Sequence, residues 1–367
     1  MMTSGLNQPP STDGGLRLAL WLDERTFLTE FTFLRQLCVA LRAERHHVVI
    51  VAPESVALQP LAGLVAEQFV VKPASLPSAL FSRDRRTHAK LANQLRSQAL
   101  DAVILFGFNP TQSPVLAELV TTVLLRWHFD LNETQDVGLD VHRIFATAEL
   151  QAAYASVSPA RGTVIPPGVF THADLPVRPK QDGMFSIACL DMIQNPAEIE
   201  GFLRAFSQIP PPAATMALFL DTGPAVDAVW RMARDMKLSA RVSFIPAIAA
   251  ASCVISSVDA LINIEPQTRF WHAGLEAMAA MCPTACRGRS VGSLFCAQTS
   301  RIVSRQADWG SCLTSLESDH ATSRLLATTA ANRVREQYAM STTASQLSHL
   351  LKVLKRGSLA LELPPKH

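Results

Sequence analysis

Short apolar runs recur along the chain, and most are followed by a longer stretch in which apolar positions return every three or four residues. The first pattern fits a buried strand and the second a helix with one face on a core. On this reading Leu16–Leu22 is a strand, Asp23–Thr29 a loop, and Glu30–Arg45 a helix whose apolar face is Phe33, Leu34, Leu37, Val39 and Leu41. His47–Ala52, ended by Pro53, is the next strand. The unit then repeats, with strands at Gln68–Val71, Asp101–Phe106, Val123–Trp127 and Ile144–Thr147. Helices fall at Leu80–Ser97, Gln112–Thr121 and Ala148–Ala155, and Gly162–Val169 closes the series.

Prolines and charges break the pattern at Leu175–Gly183. Beyond them the alternation resumes, with strands at Met184–Leu190, Ala217–Leu220, Arg241–Ile245, Ala260–Ile262 and Ser300–Ser304. Helices are expected at Pro196–Ile209, Val226–Met236, from near His272, at Asp319–Tyr338 and at Thr342–Lys355. Such alternation implies an α/β fold with parallel sheets covered on both faces. The expected organisation is a polar tail at 1–15, a Rossmann-like domain at 16–174 and a linker at 175–183. A second Rossmann-like domain follows at 184–340, then a terminal helix and tail at 341–367, with a cleft between the domains.

Composition narrows the class. A length of 367 residues suits two domains, and 48% apolar with 17% charged residues excludes general disorder. A net charge of +2 gives no general affinity for nucleic acid. The first fifteen residues lack the basic start and apolar run of a secretory leader, and no apolar run has the length of a membrane span. The seven cysteines are odd in number and scattered, as expected of free thiols in a cytoplasmic chain. Cys282, Cys286 and Cys296 do not complete a metal spacing and read as small buried residues, so no metal is expected. Arg83, Arg85, Arg86, Lys90 and Arg96 make one helix basic; it reads as a solvated face and leaves peripheral contact with an anionic membrane open.

Candidate chemistry concentrates in Asp259–Arg289, a strand, a loop and a helix. In an open parallel sheet the loop after a strand's carboxyl end is where ligands bind, and a helix N-terminus there favours anions. Glu276, in the first turns of that helix, either complements the helix dipole or accepts hydrogen bonds from ligand hydroxyls. His128 stands at another strand end, where an imidazole serves as a structural hydrogen-bonding group or as a ligand contact.

Several segments, in order and spacing, resemble the GT-B glycosyltransferases, in particular their retaining family four. They are His46-His47-Val48 after the first helix and Val164-Ile165-Pro166-Pro167-Gly168-Val169 before the linker. In the second half they are Asp221-Thr222-Gly223-Pro224, Arg241-Val242-Ser243-Phe244-Ile245-Pro246, Glu276-Ala277-Met278-Ala279 with Pro283, and Glu336-Gln337-Tyr338. The resemblance covers roughly Leu16 to Leu354 and implies two Rossmann-like domains that bind a nucleotide-sugar in the cleft. It implies transfer to a glycan, lipid or small acceptor with retention, and no metal or other cofactor. Glu276 then holds the donor ribose, Pro246 edges the base pocket and His128 faces the transferred sugar.

The chain departs from that pattern at several points. The family's other glutamate, eight positions earlier, falls on Thr268. Its loop amides fall on Arg269 to His272, next to Gly274, with Arg269 and Trp271 where glycines are expected. The diphosphate-binding arginine and lysine are missing from Ala188–Pro196, and Phe27–Glu30 replaces a glycine-rich loop. Arg269 and His272 are the candidates to supply the missing positive charge. These losses also fit a non-catalytic GT-B protein that serves as a binding scaffold.

Overall fold

The computed structural model describes residues 14–54, 61, 63–71, 82–107, 113–119, 122–130, 141–155, 162–171, 184–192, 194–209, 214–221, 223–245, 251–266, 268–288, 295–296 and 298–362. The tail at 1–13, the linker at 175–183 and Pro246 fall outside these.

Two parallel sheets form. The first half carries β1 (Arg17–Leu22), α1 (Glu24–Ala43), β2 (His47–Pro53), β3 (Glu67–Val71), α2 (Ser82–Ser97), β4 (Ala102–Phe106), α3 (Ser113–Ala117), β5 (Val123–His128), β6 (His142–Phe145), α4 (Ala148–Ala155) and β7 (Gly162–Val164). The second carries β8 (Met184–Cys189), α5 (Pro196–Ser207), β9 (Ala214–Leu220), α6 (Val226–Asp235), β10 (Val242–Ile245), α7 (Ala251–Ile255), β11 (Ala260–Asn263), α8 (His272–Ala279), β12 (Thr284–Arg287) and β13 (Arg301–Val303). Three helices end the chain: α9 (Trp309–Ser318), α10 (His320–Gln337) and α11 (Met340–Glu362).

The first sheet has the order β3-β2-β1-β4-β5-β6-β7 and the second β10-β9-β8-β11-β12-β13. In each sheet the order reverses at one point, between β1 and β4 and between β8 and β11, where an open α/β sheet leaves a crevice at its strand ends.

The first helix begins earlier than the apolar pattern predicts. Asp23 caps it, its carboxylate accepting from Thr26 N at 2.7 Å, so the expected loop at Asp23–Thr29 is helical instead. Gly107, at φ +75 after β4, lies so close under the Asp23 carboxylate that a β-carbon there would collide with it. Thr26, Phe27 and Glu30 are buried with Phe31, Phe33, Leu34, Leu37 and Leu41. Val39, counted on the apolar face by periodicity, is 37% exposed. α9, with Trp309 and Leu313 in the core, was not among the expected helices; its serines and threonine mask the helical period.

The long terminal helix returns to the first half. Leu16 N donates to His46 Nδ1 at 3.0 Å, which puts the imidazole proton on Nε2, and Nε2 lies 2.7 Å from Ser348 Oγ on α11. Ser348 in turn donates to Glu44. Burial lowers the His46 pKa, in keeping with a neutral ring. Because Nε2 is the donor, this Ser–His–Glu chain is a structural relay and not a nucleophile with its base. Ser348→Ala strands the buried His46 N–H, and thermal denaturation is expected to show a loss of about 1–3 kcal/mol.

All seven cysteines are free. Burial raises the Cys282 thiol to about 12 and the Cys296 thiol well above its ordinary value, which leaves both as inert core residues. Among the described residues no helix is long and apolar enough to cross a membrane.

Candidate functional site

The carboxyl ends of the two sheets face one another across a polar cavity of about 100 Å³. The first half contributes Arg25, Thr29 and Glu30 from the start of α1 and Asp130 from just beyond β5. The second contributes Leu190, Asp191, Met192 and Gln194, after β8, and Glu265, Pro266, Thr268, Arg269, Phe270, His272 and Ala273, between β11 and the first turn of α8. Thr268, Arg269 and His272 of the expected donor loop therefore share one wall.

The loop is stitched to the first half by its backbone. Phe270 N donates to Phe129 O at 2.7 Å, and Asp130 and Arg269 form an antiparallel bridge. Side chains close the rest. The His272 ring stacks on Phe33 at 4.7 Å and meets Phe129 at 5.0 Å and Phe270 at 4.9 Å. Trp271, where a glycine is expected, is 1% exposed and packs under the loop. Its indole covers Gly274 so closely that any β-carbon at 274 would collide with the ring. Arg269 and Trp271, where the resemblance implies glycines, thus fill this loop with side chains.

Arg269 and Glu30 form the charged centre. Arg269 Nε donates to Glu30 Oε1 at 2.6 Å, and the other carboxylate oxygen lies against His272 Nδ1. Arg269 is 9% exposed and Glu30 2%. Burial pushes the His272 pKa down to about 3, so the ring is neutral and does not supply the positive charge expected of it. Asp130, 4% exposed, pairs with Arg25 at 3.5 Å. Glu265 accepts from Gln194 N at 2.9 Å and Asn195 N at 2.6 Å; burial outweighs these bonds and raises its pKa. Asp191 accepts from Asn263 Nδ2 at 2.7 Å. Four carboxylates (Glu30, Asp130, Asp191, Glu265) and two guanidiniums (Arg25, Arg269) surround the space. The rim is thus predominantly acidic.

Glu276 lies one helical turn away, between this cluster and a groove of about 230 Å³ lined by Thr32, Gln36, Val39, Phe170 and Ile255. Gln36 Nε2 donates to Glu276 Oε1 at 3.3 Å, and Gln36 Oε1 accepts from Phe170 N at 2.7 Å. Glu276 Oε2 has no hydrogen-bond partner among the described residues. Burial raises the Glu276 pKa to about 8, so the group is a neutral acid at pH 7. That form both donates and accepts, which suits a hydroxyl ligand better than a role as dipole counter-charge.

His128 is not brought to this cavity. It is buried in a separate aromatic group, its ring 5.2 Å from Phe145 and 5.1 Å from Tyr154. Trp127 and Phe129, its strand neighbours, point to the opposite side, toward Phe33. Glu30, Asp130 and Asp191 reach the cavity without having been singled out in the sequence. Asp130 and Asp191 had a legible signal, an acidic residue just past a strand end; Glu30 had none beyond its place after the first strand. In the basic helix α2, Arg96 pairs with Glu118 at 2.5 Å and Lys90 is exposed; the side chains of Arg83, Arg85 and Arg86 lie outside the described residues.

No family model and no curated protein matches this sequence. Solved structures match its fold over nearly the whole length. Anabaena HepE with UDP and glucose superposes with a TM-score of 0.73 at 12% identity, covering 92% of this chain and 99% of that one. A glycosyltransferase from Rickettsia africae gives 0.70 at 11% identity, covering 93% and 98%. Sucrose-phosphate synthase from Thermosynechococcus elongatus gives 0.67 at 17% identity, covering 93% and 100%. The fold is GT-B: two parallel α/β sheets facing across a cleft, as in these glycosyltransferases.

Proposed function

We propose that this chain is a GT-B glycosyltransferase that moves a sugar from a nucleotide-sugar to a glycan, lipid or small-molecule acceptor. One observation carries the reading: the loop and helix from Thr268 to Glu276 stand at the facing carboxyl ends of both sheets, where open α/β sheets hold their ligands. In this reading Arg269, His272 and the α8 N-terminus meet the donor diphosphate, whose negative charge grows as it leaves. Glu276 takes the ribose hydroxyls, Thr268 the transferred sugar, and Pro246 the base, while His128, buried against Phe145 and Tyr154, drops out of the site. Transfer proceeds with retention and without a metal or other cofactor. The chain works in the cytoplasm, and α2 is a solvated basic face that leaves peripheral contact with an anionic membrane open.

A second reading, a GT-B scaffold that has lost transfer, is favoured by the filling of the cleft. The cavities against the first turns of α1 measure about 100 and 40 Å³ and the groove beside Glu276 about 230 Å³, all below the roughly 300–1,000 Å³ of ligand pockets. Calorimetric titration with UDP, GDP, ADP, CDP and TDP separates the two. Saturable binding of one of them, and slow hydrolysis of the matching nucleotide-sugar, is the expected result. No binding of any at millimolar concentration removes the enzyme and leaves the scaffold.

A further inference from the structure

Glu30 has no part in the donor chemistry proposed above, yet it stands at the centre of the donor loop. α1 starts directly at its Asp23 cap, and so its first turns run into the cleft. There Leu28 to Phe33 line a small cavity together with Leu190 and Leu220, at the ends of β8 and β9, and with His272, Ala273 and Glu276 of α8. The helix departs from helical geometry at Glu30 itself (φ −117, ψ 15), where the carboxylate reaches Arg269 and His272. A carboxylate on a guanidinium makes the same charge-assisted contact that a phosphate oxygen makes.

We propose that Glu30 is an internal anion that fills the anion seat of the Arg269–His272 loop and holds the cleft shut. A nucleoside diphosphate then binds only when the first turns of α1 withdraw. The diphosphate part rests on the donor reading above; the seat and its occupant rest on the geometry alone. The closed form is further held by the Phe270 N–H to Phe129 O bond, which must open with it. Affinity is reduced by the fraction of molecules in which the seat is vacant, and weakening the internal occupant restores it.

The test compares the full-length protein with E30Q, which keeps the shape of the side chain and removes its charge. Calorimetry with UDP, GDP, ADP and inorganic pyrophosphate is paired with hydrogen exchange across the peptide that contains Phe270. About tenfold tighter binding of a nucleoside diphosphate by E30Q, with faster exchange at Phe270, is expected. A gain for pyrophosphate with none for any nucleoside diphosphate upholds the seat and its occupant and removes the donor reading. A folded E30Q that gains affinity for no anion and exchanges like the parent overturns the proposal. If E30Q does not fold, E30D, with a shorter reach to Arg269, takes its place under the same criteria.

Discussion

Arg269→Ala is expected to cost about 3–5 kcal/mol of folding stability, the largest loss of any single side chain in the cleft. Glu30 is 2% exposed, and its charge is balanced by Arg269 at 2.6 Å, a residue 239 positions away on the other sheet's loop. With the guanidinium gone, the buried carboxylate loses the cation that balances it, and its desolvation is no longer offset. The magnitude belongs to the broken pair, not to the pair as such. Glu30→Leu combined with Arg269→Met removes both charges at similar volume and is expected to lie near or above the parent in stability. Equilibrium unfolding in urea of the parent, the single variants and the double variant forms a cycle that isolates the coupling. A loss below about 1 kcal/mol for Arg269→Ala is what a solvated ion pair would give, and would place the two halves farther apart than this structure does.

The second large effect concerns pH. Burial raises Glu276 from an ordinary 4.5 to about 8 in the folded protein. Between those values the folded chain holds a proton that the unfolded chain has released, so stability falls as pH rises. The contribution is complete below about pH 4.5, declines up to about pH 8 and is flat above it. At about 1.4 kcal/mol per unit this amounts to an upper bound on the order of 4–5 kcal/mol. Glu276→Gln keeps the shape and removes the titration. Its thermal midpoint is therefore expected to exceed the parent's at pH 8 and to lose the downward slope between pH 5 and 8. Parallel slopes for the two proteins would show that Glu276 is already ionised in that range.

Much of the fold was legible because strand and helix periods depend on neighbours in sequence. The expected strands at Leu16–Leu22, His47–Ala52 and Met184–Leu190 appear within a residue or so of their predicted limits. The start of α1 was misplaced because its polar residues Glu24, Arg25, Thr26 and Thr29 look like a loop. Whether they form one depends on the Asp23 cap and on burial against the other half. At the candidate site, Thr268, Arg269 and His272 do share a cavity, as the loop after β11 implied, while His128 faces an aromatic group on the other side of its strand. A strand end can be read from sequence, but the direction of one side chain there follows the pleat and register of the sheet.

The sequence alone determined the alternation of strands and helices, the division into two α/β halves, and the bulky residues that replace glycines in the loop before α8. These follow from local patterns of apolar spacing and residue size. Only the tertiary structure decided what those replacements do. It set Glu30 against Arg269 across 239 residues, seated Trp271 over Gly274 and buried Glu276 deeply enough to keep its proton. Charge pairing and desolvation depend on distance in space and on exclusion of water, and neither is encoded in any one stretch of the chain.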